Sequence, residues 1–303
     1  MNDLNELTTP PVLAVAGGAG AMGSLFAELL LPHLDVCLLI DRFPTSERRD
    51  SGQEVALAPL VDRLSAVLAR GGLEVRLVAE TLAAKAPSPP RTREGREAPA
   101  WLLARPKGSP DPWPGADDLS ADAESLTRRL RRTHGISKVV GLLPTAAAVW
   151  AARSADILLV ATHFGDADEF RATLRPYAAG ITAGSLVADL LSTKQAPVAV
   201  LCQAFPPAVG VLGMHPLFSR APGDVTGLVV AVAPAPDGRP VVRWQEWLLG
   251  RLARLGMLVT PTSAEEHDAA MTYVQALTHF ALLCFAYTFV RANQDPTLLL
   301  PYR

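Results

Sequence analysis

The residues whose types and spacing could do chemistry fall into three groups along this chain of 303 residues. The first is the run Gly17-Gly-Ala-Gly-Ala-Met-Gly23, in which Gly18, Gly20 and Gly23 match G-x-G-x-x-G. At that spacing the first glycine permits a tight turn, the second lets backbone approach a diphosphate, and the third lets a helix pack closely on a strand. An apolar run, Val12 to Ala16, precedes the turn, a helical pattern, Ser24 to Leu31, follows it, and a second apolar run, Val36 to Ile40, ends in Asp41. Strand, turn, helix, strand and acid in that order predict a dinucleotide site, with the acid near the spacing of about 20 residues expected of a ribose ligand. The candidate cofactor residues are Gly18, Gly20, Met22, Gly23, Asp41, Arg42, Ala161 and Thr162. A carboxylate at Asp41 favours NAD, because it accepts from ribose hydroxyls and repels a 2′-phosphate; Arg42 beside it keeps NADP open.

The second group is Ser192 and His215, each just past an apolar run and so at the end of a predicted strand. With an unperturbed pKa of about 6.5, a histidine there suits proton transfer. Ser192 followed by Thr-Lys reads equally as the cap of a helix. The third group is Met271, Gln275 and His279, which recur every four residues and share one face of a predicted helix. No metal is expected: His267 is followed four positions later by Met271, so there is no HExxH pair, and Cys37, Cys202 and Cys284 lie far apart. His267 reads as a structural polar residue at a helix start, and no G-x-S-x-G elbow exists to suggest a serine hydrolase.

The elements that must position these groups alternate. Ala155 to Ala161, Ser185 to Leu190, Val209 to Met214, Leu228 to Val232 and Met257 to Thr260 read as strands, with Val241 to Leu255 an amphipathic helix. The fold class this predicts is α/β: a Rossmann-type doubly wound, largely parallel sheet followed by a C-terminal helical segment, with ligands at the carboxyl ends of the strands. The dinucleotide-binding domain is expected over 12–262, interrupted by a long insertion at about 43–150. Within it Leu57 to Ala69 and Leu119 to Arg132 look helical and Leu73 to Val78 extended, while the proline-rich stretch 87–114, with Trp101 and Trp113, is expected to be a mobile surface segment. Residues 263–303 begin a helical substrate and dimerisation domain.

Lys+Arg 28 against Asp+Glu 30 gives a net charge of −2, and 49% hydrophobic residues with 19% charged exclude a disordered chain and disfavour a nucleic-acid partner. Unpaired cysteines and the polar start MNDLNELTTPP suit a reducing cytoplasm. Ala269 to Val290 carries no charged residue, near the roughly 20 needed to span a bilayer. Gln275, His279, Thr272 and Thr278 interrupt it, so a buried or dimer-forming helix is expected, and no membrane partner.

Four separated motifs resemble the prephenate dehydrogenase family, including the T-protein form and aminodeoxyprephenate dehydrogenases: Gly17 to Ala27, Asp189-Leu-Leu-Ser-Thr-Lys194, Gly213-Met-His-Pro-Leu-Phe218, and Glu266-His-Asp268 running on to Met271, Gln275, His279 and Phe280. The resemblance covers roughly Val12 to Asp41 and Ala155 to Val290. It implies NAD-dependent oxidative decarboxylation of a cyclohexadienyl substrate, prephenate or its 4-amino analogue; a catalytically weak dinucleotide-binding protein is the reading outside enzymes. It further implies that His215 accepts the proton of the ring hydroxyl, that Ser192 orients that hydrogen bond, and that His279 and Gln275 contact substrate. Two substrate carboxylates demand a cation. Lys194 is the expected one, with a cation from a neighbouring copy in a homodimer as the second route.

Overall fold

In the computed structural model, residues 9–41, 57–79, 100–114, 123–218 and 224–291 are described. Strand β1 (Val12–Ala16) leads through the glycine turn into α1 (Ala21–Leu30) and β2 (Val36–Asp41). Then come α2 (Leu57–Arg70), β3 (Leu73–Ala79), β4 (Ala100–Pro106), α3 (Ala123–His134), β5 (Lys138–Pro144) and α4 (Ala148–Ser154). The second half runs β6 (Ile157–Val160), α5 (Ala167–Ala178), β7 (Leu186–Asp189), α6 (Gln195–Ala204), β8 (Gly210–Pro216), β9 (Val229–Pro234), α7 (Arg243–Arg254) and β10 (Leu258–Pro261). A helical rod closes the described chain: α8 (Ala264–Met271), a π-helical turn (Thr272–Leu277) and α9 (Thr278–Arg291).

Ten strands form one sheet in the order β10-β9-β8-β7-β6-β1-β2-β5-β4-β3. The pairs from β8 through β5 are all parallel, and β10 runs parallel to β9; β9 opposes β8, and β4 opposes both β3 and β5. Residues β1 through Ala16 are apolar at every position because both faces of the strand are covered. Leu13 and Val15 face a core built with Phe26 and Leu30 of α1, Leu60 and Leu64 of α2 and Trp247 of α7. Ala14 and Ala16 face the opposite core, with Ala151 of α4, Phe170 of α5 and Leu201 of α6. Helices on both faces of a sheet whose centre is parallel make the fold doubly wound.

The insertion differs from the expectation in two ways. First, β5, which was not foreseen, pairs parallel with β2 from Val36↔Val139 to Asp41↔Pro144 and occupies the place of the third strand of the first nucleotide-binding half. Second, residues 100–106 are not a mobile surface segment but the strand β4, inserted between β3 and β5. Trp101 is 1% exposed, meets Trp150 edge-on at 6.3 Å, and lies across from Gly141, where an added Cβ would come within 2.9 Å of its ring. Trp113 is half-buried beneath the guanidinium of Arg105, 4.2 Å from the ring centre. The prolines at 106, 110, 112 and 114 fall at the end of β4 and after it, where they interrupt no ladder bond within the sheet. Positions 87–99 lie outside the described residues.

Candidate functional site

The glycine turn sits where β1 ends, lashed to the neighbouring strand: the N–H groups of Gly17 and Gly18 donate to Ile40 O at 2.9 and 3.2 Å. Gly17 has φ +80°, and a Cβ there would lie 2.8 Å from the Ala161 carbonyl. At Gly18 a Cβ would come within 2.7 Å of the Leu39 Cβ, and at Gly23 within 2.3 Å of Gly17 O, so each of the three positions is closed to a side chain by a different neighbour. Helix α1 begins at Gly20 with no side-chain cap and no acidic residue in its first turn, which leaves its N–H groups and positive dipole end for an anion.

Asp41 closes β2 and turns its carboxylate onto the same turn, Oδ2 accepting from Ala19 N at 2.9 Å. Across the turn, Ala161 N donates to Ala16 O at 2.8 Å, and the buried Thr162 hydroxyl oxygen has no hydrogen-bond partner among the described residues. Bare helix N-terminus, side-chain-free cradle, acid at the second strand and an unspent hydroxyl together fit a dinucleotide. Met22 is half-buried and packs on the core below the turn; Arg42 lies outside the described residues.

Three strand positions from β1, β8 delivers His215, 6% exposed. Its Nδ1 stands 2.9 Å from Nε2 of His267, which is 3% exposed at the start of the helical rod. His267 Nδ1 stands 2.8 Å from Asp268 Oδ1. The Asp268 carboxylate also accepts from the backbone N–H groups of Lys194 (2.7 Å) and Gln195 (2.9 Å), so a residue of α8 caps α6 across 74 positions of sequence. Ser263 fixes α8 from the other side through a capping box with Glu266. Burial, then His267 and Lys194, push the His215 pKa down to about 4, which keeps the ring neutral near pH 7 and free to accept a proton. Burial opposes the charge on Asp268, but the N–H groups of Gln195 and Lys194 and the His267 ring outweigh it and hold the carboxyl below its usual range.

Beneath His215 the ammonium of Lys194 points inward, onto the carboxylate of Asp189 and, at 2.8 Å, the carbonyl of Met214. Both members of this ion pair are 0% exposed. Burial disfavours each charge, raising Asp189 and lowering Lys194, and the pair survives because each partner offsets part of the other's desolvation. A cavity of about 400 Å³, lined by Asp156, Thr182 and Arg243 among others, lies at the amino ends of β6 and β7, the wrong edge of the sheet for this chemistry.

No family model matches the chain. Among curated proteins, the T-protein of Haemophilus influenzae is 37% identical over 128 residues, covering 42% of this chain and 32% of the T-protein. A protein of Methanocaldococcus jannaschii named probable arogenate/prephenate dehydrogenase is 26% identical over 168 residues, 55% of this chain and 37% of that one. The chain thus spans about a third of the length of the curated relatives it matches. In fold it resembles the prephenate dehydrogenase of Aquifex aeolicus solved with hydroxyphenyl propionate and NAD+, with TM-score 0.51 and 14% identity over 94% of this chain and 71% of that one. Over part of its length the chain is similar in sequence to the T-protein and to a probable arogenate/prephenate dehydrogenase.

The structure places several of the residues singled out in the sequence differently from expectation. Lys194 cannot be the substrate cation, because its ammonium is sealed under β8 and spent on Asp189. Ser192 is exposed in the bend after β7 and does not cap α6; that helix starts at Lys194 and is capped by Asp268. Gln275, in the π-helical turn, is half-buried like Met271, whereas His279 on α9 is exposed, and neither is hydrogen-bonded to the His215 group. His267 is no bystander: it is the hydrogen-bond partner of His215. The one sequence signal for that role was Asp268 next to it, a carboxylate able to orient an imidazole.

Proposed function

We propose that this chain carries the dehydrogenase site of an NAD-dependent enzyme that oxidatively decarboxylates prephenate to 4-hydroxyphenylpyruvate, a step of tyrosine biosynthesis in the cytoplasm. The observation that carries this reading is a buried, neutral histidine at the end of β8, on the same sheet edge as the glycine turn. The Gly17–Gly20 turn, the α1 N-terminus and Asp41 would hold NAD, which when bound would supply the acceptor for the hydride of ring carbon C4. His215 takes the proton of the C4 hydroxyl as that carbon is oxidised, and returns it to the ring oxygen once loss of the carboxylate as CO2 has made the ring aromatic. Taking up and returning one proton leaves prephenate and NAD+ on one side, and 4-hydroxyphenylpyruvate, CO2 and NADH on the other. Ser192, exposed in the bend after β7, is the residue proposed to orient the hydroxyl.

The helical rod supports a homodimer. Tyr273, Val274, Leu277, Phe280, Leu283 and Tyr287 are each more than half exposed on it. Residues 264–291 are long and apolar enough to cross a membrane by length and composition, yet His267 and Asp268 anchor the start of the rod in the active site. A second copy of the chain is the occupant we propose for this face, and with Lys194 buried it is also the source of the cation that a substrate carboxylate needs. The deciding assay follows NADH formation with prephenate, with its 4-amino analogue and with neither. Turnover of prephenate supports the proposal; turnover of the amino analogue alone replaces the substrate, and turnover of neither by folded, cofactor-binding protein rejects it.

A further inference from the structure

Asp268 lies where only one hydrogen-bond direction is open to it. Its two oxygens receive N–H groups from the first turn of α6, at 2.7 and 2.9 Å, and an ionised carboxylate can only accept. The nitrogen facing it, Nδ1 of His267 at 2.8 Å, must therefore carry a hydrogen. A neutral imidazole carries one hydrogen, so Nε2 of His267 is a bare lone pair, and the nitrogen 2.9 Å from it, Nδ1 of His215, must donate. The same count applied to His215 leaves its Nε2 without hydrogen. Polarity thus runs from His215 through His267 to Asp268 and ends on the positive end of the α6 dipole.

We infer that His267 and Asp268 are positioning residues that hold His215 as its Nδ1–H tautomer, so that Nε2 is the atom that takes the substrate proton. The inference rests on the proposed reaction only for the identity of the proton donor; the tautomer is a property of the free protein. When Nε2 is protonated, the Nδ1–H of the resulting imidazolium already points at a lone pair backed by a carboxylate, which stabilises the charge with no reorientation. The ionisable groups surrounding this ring are Asp189 at the end of β7, Lys194 at the start of α6, and His267 and Asp268 on α8. Asp189 and Lys194 neutralise each other, so the direction of the His215 hydrogen bond is left to the α8 pair.

Nitrogen-15 NMR of the histidine rings in the free protein near pH 7.5 tests this without any turnover. His215 is expected to show a protonated Nδ1 and a bare Nε2, and His267 the same pattern. An Nε2–H His215, or a doubly protonated His267 donating to it, overturns the inference. His267→Gln keeps an acceptor oxygen on a side chain of similar reach, whereas His267→Phe removes it. The glutamine variant is expected to keep the His215 tautomer and to retain more kcat than the phenylalanine variant, whose kcat should fall about 10- to 100-fold with KM for NAD unchanged. Equal kcat in the two variants, or an unaltered tautomer in His267→Phe, rejects the positioning role. Should the protein not turn over prephenate at all, the proposed reaction falls while the NMR arm still decides the tautomer.

Discussion

Replacing Lys194 with methionine keeps most of the buried stem and removes the charge, leaving Asp189 alone in a site with 0% exposure. The stem itself has no slack: it passes beside Gly213, where an added Cβ would sit 3.0 Å from Lys194 Cδ, so methionine fits the channel that lysine uses. Breaking a buried pair by deleting one partner costs about 3–5 kcal/mol, a large share of the roughly 5–15 kcal/mol that holds a domain folded. Among the described residues one Asp189 oxygen lacks a hydrogen-bond partner, and in the variant the other keeps only Leu191 N at 3.0 Å. Burial, which raises the Asp189 pKa even beside Lys194, would then be opposed only by the Leu191 N–H and His267. The carboxyl would stay protonated in the folded variant and ionise on unfolding.

The sign of the pH dependence follows. Above about pH 4 the unfolded chain releases the proton that the folded variant retains, so the variant loses about 1.4 kcal/mol of stability per pH unit until its raised folded pKa is passed. Urea unfolding of Lys194→Met and of wild type at pH 5 and pH 8 measures this. The expected deficit is about 3–5 kcal/mol at pH 8 and clearly smaller at pH 5. Asp189→Asn placed in the same variant should recover much of the loss and flatten its pH dependence. A deficit below about 1 kcal/mol at pH 8, or one equal at both pH values, would refute the buried ion pair as the element that secures the end of β8.

Three further outcomes test the site. His215→Asn should cut kcat by about 10²- to 10⁴-fold with NAD affinity nearly unchanged in a direct titration; near-normal turnover removes His215 from the chemistry. Because the His215 pKa is pushed down to about 4, kcat/KM should persist as pH falls through 6.5 and drop only on approach to 4, where the base becomes protonated; an acid limb centred at 6.5 contradicts the buried, neutral ring. Gly23→Ala would drive a Cβ to 2.3 Å from Gly17 O and should cost about 1–3 kcal/mol of stability while weakening NAD binding measured calorimetrically; unchanged binding refutes the close packing of α1 on the turn.

The sequence made β1, the glycine turn, α1 and β2 legible because their signals are local, whereas β5, beyond the long insertion, was missed. Gly17 to Gly23 must turn tightly whatever the rest of the chain does, and Val12–Ala16 is apolar at every position because it is covered on both faces. His215 was legible for a similar reason, lying where an apolar strand ends. What escaped depends on partners distant in sequence. Strand β4 lies in a proline-rich stretch, and its pairing with β3 and β5, with Trp101 fitted over Gly141, makes it part of the sheet. Lys194 resembles a solvated residue at a helix start until Gly213 of β8 opens the path along which its stem reaches Asp189.

The rod that begins at Ser263 therefore has two ends with different physics. Its first turn is fixed by the Ser263–Glu266 capping box, by Asp268 on the α6 N-terminus and by His267 against His215. From Thr272 onward the helix leaves the body: the backbone loosens into a π-helical turn, and among residues 272–291 only Gln275 and Phe289 are even half-buried. A π turn inserts where a helix must re-aim its side chains, and here it falls between the histidine that orients the base and the exposed histidine expected to meet substrate. On the proposed reading, the base His215 belongs to the α/β body and the substrate-facing wall to the second copy proposed to cover the apolar rod. Cofactor binding and the poise of His215 should then be properties of the single chain, while substrate affinity should depend on assembly.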